Sequence, residues 1–135
     1  MVTQILKNLN HPTKKKLCPE KSHCFFISDR YGVSLLTKLR VELSDLRSHR
    51  FDHNFNCPSP ICACGIEDET VEHYLTRCPR FSCFRVTLMD SISGIVNPEI
   101  INLPNDHLTR IMVYGSKVYN TVTNKLILEA TIRFI

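Results

Sequence analysis

The sequence predicts a mainly α-helical domain folded around one irregular knuckle of cysteines and a histidine. Three observations predict it. Apolar residues recur at steps of three and four in several segments, the spacing of one helix face. Five of the seven cysteines fall between residues 57 and 83, with His73 among them. At 135 residues, with 43% apolar and 22% charged residues, the chain has the make-up of a single globular domain, residues 1–135. A chain of this length can bury roughly 70% of the surface its unfolded form exposes.

Residues 2–9 place Val2, Ile5, Leu6 and Leu9 at helical spacing, and His11-Pro12 ends that helix. Residues 13–24 are lysine-rich and read as loop, so residues 1–24 form a basic N-terminal segment. Ser28 or Asp29 caps the next helix, whose stripe runs Val33, Leu36, Leu39, Leu43, Leu46. Ser44-Asp45 is expected to split it in two, with Phe51 and Phe55 closing onto the core. Pro58 and Pro60 mark a turn before the knuckle, residues 57–80. Phe81, Phe84, Leu88 and Ile92 then form a stripe between Pro79 and Gly94. Residues 94–105 read as loop. Asp106 is expected to cap a short helix carrying Leu108, Ile111 and Met112, ended by Gly115. Val122, Leu126, Ala130 and Phe134 repeat every four residues in a last helix.

The charge is uneven. Residues 1–50 carry +6, residues 51–100 carry −4 and residues 101–135 carry +2, against a total of +4. A basic front suits phosphate, although charge alone is a weak signal. No apolar run approaches the ~20 residues that cross a bilayer, so no membrane association is expected. The N-terminus lacks the apolar stretch of about 7–15 residues that a secretory signal carries after its basic start. The expected location is therefore intracellular, nuclear or cytoplasmic, where clustered cysteines more often bind metal than form disulfides.

The segment from Cys62 to Cys78 has the pattern C-x-C-G-x7-H-x4-C. Three thiolates and an imidazole are a tetrahedral zinc set, so Cys62, Cys64, His73 and Cys78 are the expected ligands of one structural zinc per chain. Gly65 lets the backbone turn sharply behind the cysteine pair. Asp68 or Thr70 caps a short helix with His73 in its first turns. Pro79 disfavours helical geometry at Cys78, which then lies at or past the helix end and swings back to the metal. Cys57 and Cys83 flank the set as alternative ligands or free thiols. The acidic residues at 67–72 are expected to cap and to face solvent. Four protein ligands leave no open metal position, and no deaminase, metalloprotease, phosphate-loop or serine-hydrolase motif occurs. The expectation is a chain without catalytic activity or a small-molecule substrate.

The run Cys62-x-Cys64-Gly65, Glu69-Thr70-Val71-Glu72-His73-Tyr74-Leu75 and Arg77-Cys78-Pro79 resembles the zinc-binding segment at the C-terminal end of jockey-like non-LTR retrotransposon reverse transcriptase polyproteins. Leu35 to Arg40, Leu43 to Arg47 and His49 to Phe55 look like the helical segment just upstream, and residues 114–115 and 130–135 like the tail. The likeness thus covers about residues 25–135 and leaves out the polymerase. It implies an origin beside a reverse transcriptase domain, as a non-catalytic remnant or gene fragment. It also implies a module that holds template RNA or target DNA. The side chains expected to meet phosphate are Lys14, Lys15, Lys16, Lys38, Arg40, Arg47 and Arg50. The knuckle itself is net −2 over residues 57–80 and should repel phosphate. A protein-interaction or purely structural role is the alternative.

Overall fold

The computed structural model describes Ile27 and residues 29–135. The helix expected at 2–9, Lys14, Lys15, Lys16, Cys18, Cys24 and the alternative cap Ser28 lie outside the described residues. The fold is mainly helical: α1 (Arg30–Arg40), α2 (Arg47–Asp52), α3 (Ser82–Ile95), α4 (Asn105–Tyr114) and α5 (Thr121–Phe134). Among the described residues there is no strand, only an isolated antiparallel bridge between Ile61 and Asp68. None of these helices is long and apolar enough to cross a membrane.

Asp29 starts α1, its carboxylate accepting the Gly32 N–H at 2.8 Å. The break at Ser44-Asp45 is present: the chain leaves α1 after Arg40, passes Glu42 at φ 61°, and re-enters a helix at Arg47. Ser44 holds this corner, its N–H donating to Nδ1 of the buried His49 at 3.3 Å. Across the corner, His53 Nε2 donates to the Glu42 carbonyl at 2.8 Å.

Helix α5 packs against α3, α4 and α1. The core gathers Leu36, Leu88, Ile92, Leu108, Met112, Leu128 and Ile132, and Leu75 joins it from the knuckle. Gly32 lets α1 approach α5. Gly115, at φ 76°, ends α4 in the left-handed region, and the loop beyond it folds over buried Asn124. The Asn124 amide accepts from Ser116 N–H and donates to the Ser116 and Tyr119 carbonyls.

Several sequence readings need correction. Phe51 and Phe55 do not close onto the core; they are 39% and 59% exposed. Phe84 is exposed as well. The four-residue stripe on α5 is not its buried face. Each step of four residues advances about 40° around a helix, so the stripe spirals. Val122 and Leu126 face outward while Ala130 is buried; Asn124, Ile127, Leu128 and Thr131 do the packing. Residues 94–105 contain a 3-10 turn, Pro98–Asn102, that buries Ile100. Asp106 does not cap α4, which begins at Asn105 after Pro104.

A methyl group on Gly32 would overlap Ile132 Cγ2 and stand 2.7 Å from Asp29 Oδ2, so Gly32→Ala should separate α1 from α5. Overpacking of this kind costs about 1–3 kcal/mol. Urea denaturation should show that loss; an unchanged midpoint would mean the two helices part freely.

Candidate metal centre

Two pieces of backbone bring the ligands together. The first is a tight hairpin. Cys62 N–H donates to the Glu67 carbonyl at 2.8 Å, Gly65 N–H to the Cys62 carbonyl at 2.8 Å, and Glu69 N–H to the Pro60 carbonyl at 2.9 Å. Gly65 takes φ 79°, a region that costs other residues strain. This turn carries Cys62 and Cys64.

The second piece is the helical turn that follows. Thr70, not Asp68, caps it: its hydroxyl accepts the His73 N–H at 3.1 Å. The turn then widens into a π-helical stretch, His73–Arg77, closed by the Cys78 N–H donating to the His73 carbonyl at 2.8 Å. Residues five apart stand about 140° apart on an α-helix. A turn closed by an i→i+5 bond brings them nearer to one side. Cys78 is already extended, ψ 121°, as the residue before Pro79 must be. The wide turn also strands carbonyls, and Arg85 of α3 donates to two of them, those of Leu75 at 3.0 Å and Tyr74 at 3.1 Å.

The ligand atoms of Cys62, Cys64, His73 and Cys78 all lie within 4.8 Å of one another, so this group can hold a metal ion. Cys62 and Cys78 Sγ are 3.7 Å apart, and Cys64 Sγ lies 3.4 Å from His73 Nε2. A disulfide would bring two sulfurs to about 2.05 Å, so these thiols are unlinked. Cys62, His73 and Cys78 are buried and Cys64 is half-buried. Burial, with Cys78 alongside, pushes the Cys62 thiol up to about 11. At Cys78 burial is again the largest influence and acts upward, but the Arg80 guanidinium, the Arg80 backbone N–H and the Cys62 thiol together lower the thiol below its ordinary value.

Carboxylates surround the set, and here the expectation of a solvated acidic face fails in part. Asp68 is exposed, but Glu69 is buried at 8%. Its carboxylate accepts the Arg47 N–H at 2.8 Å and pairs with Arg80 at 2.6 Å; it also lies 3.5 Å from Cys62 Sγ. Helix α2 has no side-chain cap of its own at Leu46, so Glu69 supplies it from 22 residues away. Glu67 is gripped by Arg77 at 2.6 and 3.1 Å, and that ion pair holds its carboxyl below the usual range. No local spacing announces these partners. The only signal is that acidic and basic residues share the knuckle.

The flanking cysteines are placed differently. The Cys57 thiol donates to the Ser59 carbonyl at 3.1 Å, and Cys83 is exposed on α3. Neither belongs to the ligand group. Of the basic residues singled out, Lys38 is exposed on α1. Arg40 is bound into the fold: Nε donates to the Val113 carbonyl at 2.8 Å and the guanidinium stacks 5.2 Å over the Tyr114 ring. Arg47 and Arg50 each spend one nitrogen on a carbonyl, Ile61 at 3.3 Å and Phe55 at 3.4 Å.

Compared with protein-family models, curated proteins and solved structures, the chain matches none.

Glu69→Ala should leave the Arg47 N–H without its cap and Arg80 without its buried partner. Lost caps and unmet buried donors each cost about 1–2 kcal/mol. Hydrogen exchange should report faster exchange at Arg47 and Ser48, with a lower denaturation midpoint. Unchanged exchange at both would dismiss the coupling between α2 and the knuckle.

Proposed function

We propose that the chain is a non-catalytic zinc-binding module whose single metal, held by Cys62, Cys64, His73 and Cys78, sets the fold. The observation that carries this is the spacing of the ligand atoms. Tetrahedral zinc with bonds of about 2.3 Å to sulfur and 2.0–2.1 Å to nitrogen has edges of about 3.8 Å between sulfurs and about 3.5 Å between sulfur and nitrogen. The 3.7 and 3.4 Å separations fall close to these. Soft thiolates with one imidazole suit zinc, and four protein ligands make the site structural.

The knuckle's resemblance to the C-terminal region of jockey-like retrotransposon polyproteins supports a partner of nucleic acid, RNA or DNA, alongside a reverse transcriptase domain. Such binding rests on Lys14, Lys15, Lys16 and Lys38, with Arg47 and Arg50 contributing and Arg40 least available. It is weak and poorly sequence-specific. The second reading is a protein partner, favoured by the exposed Leu43, Phe51, Phe55, Ile61 and Ile66 on α2, its approach and the knuckle.

Zinc-finger peptides gain about 10–16 kcal/mol from such sites. That rivals the ~5–15 kcal/mol total stability of a domain. Chelation should therefore unfold at least residues 57–93, read by circular dichroism and hydrogen exchange. Metal analysis after refolding with zinc should give one ion per chain; none would sink the assignment.

For nucleic acid, the test is a salt titration with labelled single-stranded RNA and duplex DNA. The logarithm of affinity changes with log salt by about 0.7–0.9 per neutralised phosphate, so replacing Lys14, Lys15 and Lys16 by alanine should flatten the slope by roughly two units. Binding that survives this but not chelation would move the contact to the knuckle. No binding at low salt would favour the protein partner.

A further inference from the structure

We propose that Glu67 is a positioning residue of the metal centre: it holds His73 in the tautomer protonated on Nδ1 and so keeps Nε2 as the ligand atom. The inference rests on the metal reading above and assigns the device that sets its strength.

The His73 side chain is wholly buried, and its two ring nitrogens meet different neighbours. Nε2 lies among the ligand atoms, 3.4 Å from Cys64 Sγ. Nδ1 lies 3.2 Å from Glu67 Oε2, close but not aligned as a hydrogen bond. This buried nitrogen has no other hydrogen-bond partner among the described residues, so a small rotation of either side chain would complete the bond. A neutral imidazole carries one proton, and a nitrogen that binds metal cannot carry it. Metal at Nε2 therefore commits the proton to Nδ1, inside the protein, where it needs an acceptor. Glu67 is the carboxylate at that place.

Glu67 is itself held from both ends. Its carbonyl accepts the N–H of the ligand Cys62, which ties its backbone to the site. Its carboxylate is clamped by one edge of the Arg77 guanidinium, Nε and Nη2, and Arg77 is steadied through Nη1 by Glu72 at 3.0 Å. Arg77 stands on the same wide turn as His73. The result is a chain of contacts, Arg77 to Glu67 to His73, running from the half-exposed surface to the buried ligand. Glu69 does not duplicate it, since its oxygens are engaged by Arg47 and Arg80 on the Cys62 side. A carboxylate behind a ligating histidine fixes the ring's orientation and raises its basicity, and removing it typically lowers metal affinity about 10–100-fold.

The test uses the full chain, with zinc affinity read by competition against a chelator and the His73 tautomer by long-range nitrogen–proton correlation spectra. The wild type should show Nδ1 protonated and Nε2 bound. Glu67→Ala should weaken zinc by about 10–100-fold and expose the Nδ1 proton to faster exchange. Glu67→Gln, whose amide oxygen still accepts, should recover most of the loss. Arg77→Met, at a half-exposed position, should fall between and carries the test if Glu67→Ala does not fold. Affinity within about twofold of wild type in Glu67→Ala with an unchanged Nδ1 proton overturns the proposal, as does a wild type bound through Nδ1. A wild type that takes up no zinc, or a Cys78→Ser variant that binds at full strength, overturns the metal reading and this one with it. Tight wild-type binding that is indifferent to Glu67 overturns the positioning role alone.

Discussion

The wide turn between His73 and Cys78 is the constraint on which the rest of the structure depends. Within six residues it presents two ligand atoms on one side and sends Leu75 into the core on another. Both demands are met only because the turn is looser than an α-helix. Pro79 forbids continuation, and the i→i+5 bond from Cys78 to His73 closes it. The carbonyls left over by that geometry are met by Arg85 of α3. The cysteine–histidine cluster and the apolar core thus draw on one segment.

An aromatic trio reinforces this junction. Tyr74 from the turn, Phe81 from the 3-10 turn Pro79–Phe81 and Phe134 near the end of α5 sit with ring centroids 5.0 to 6.3 Å apart. Edge-on and tilted aromatic pairs add about 0.5–1.5 kcal/mol beyond the area they bury. They anchor the C-terminal helix to the knuckle. On the opposite flank, Glu69 joins the knuckle to α2. A short helix of six residues has little stability of its own. Here it is held by a distant carboxylate, by the buried His49 and by the Ser44 corner.

The electrostatics of the knuckle follow from the same geometry. Four acidic residues beside three thiols would repel one another if all were free. Arg77 at the end of the wide turn and Arg80 three residues further on pair with these carboxylates, one with Glu67 and Glu72, the other with Glu69. The local negative charge noted in the sequence is therefore ordered into ion pairs around the ligand set, and Asp68 alone of the four stands exposed. The half-exposed pairs of Arg77 with Glu67 and Glu72 contribute little to stability by themselves. The consequence of the ion pairs is positional, because they fix Glu67, which lies beside His73, and Glu69, which lies beside Cys62.

Spacing along the chain was enough to pick out the four side chains that the structure brings within 4.8 Å of one another, because glycine, proline and ligand chemistry act over a few residues. The same holds for the Asp29 cap, the break before α2 and the glycine stop after α4, all set by local backbone preferences. Which helix faces are buried was legible only where the apolar stripe was short, as at Leu88 and Ile92. On α5 a repeat of four drifts around the helix, so only packing against α1, α3 and α4 decided that Ile127 and Leu128 turn inward while Val122 and Leu126 do not. Glu69 capping α2 from 22 residues away, Arg40 stacking on Tyr114 and the π-form of the His73 turn were likewise decided by tertiary structure. Each satisfies a backbone group or a charge left over by a distant element, and no local pattern records which distant element will leave one.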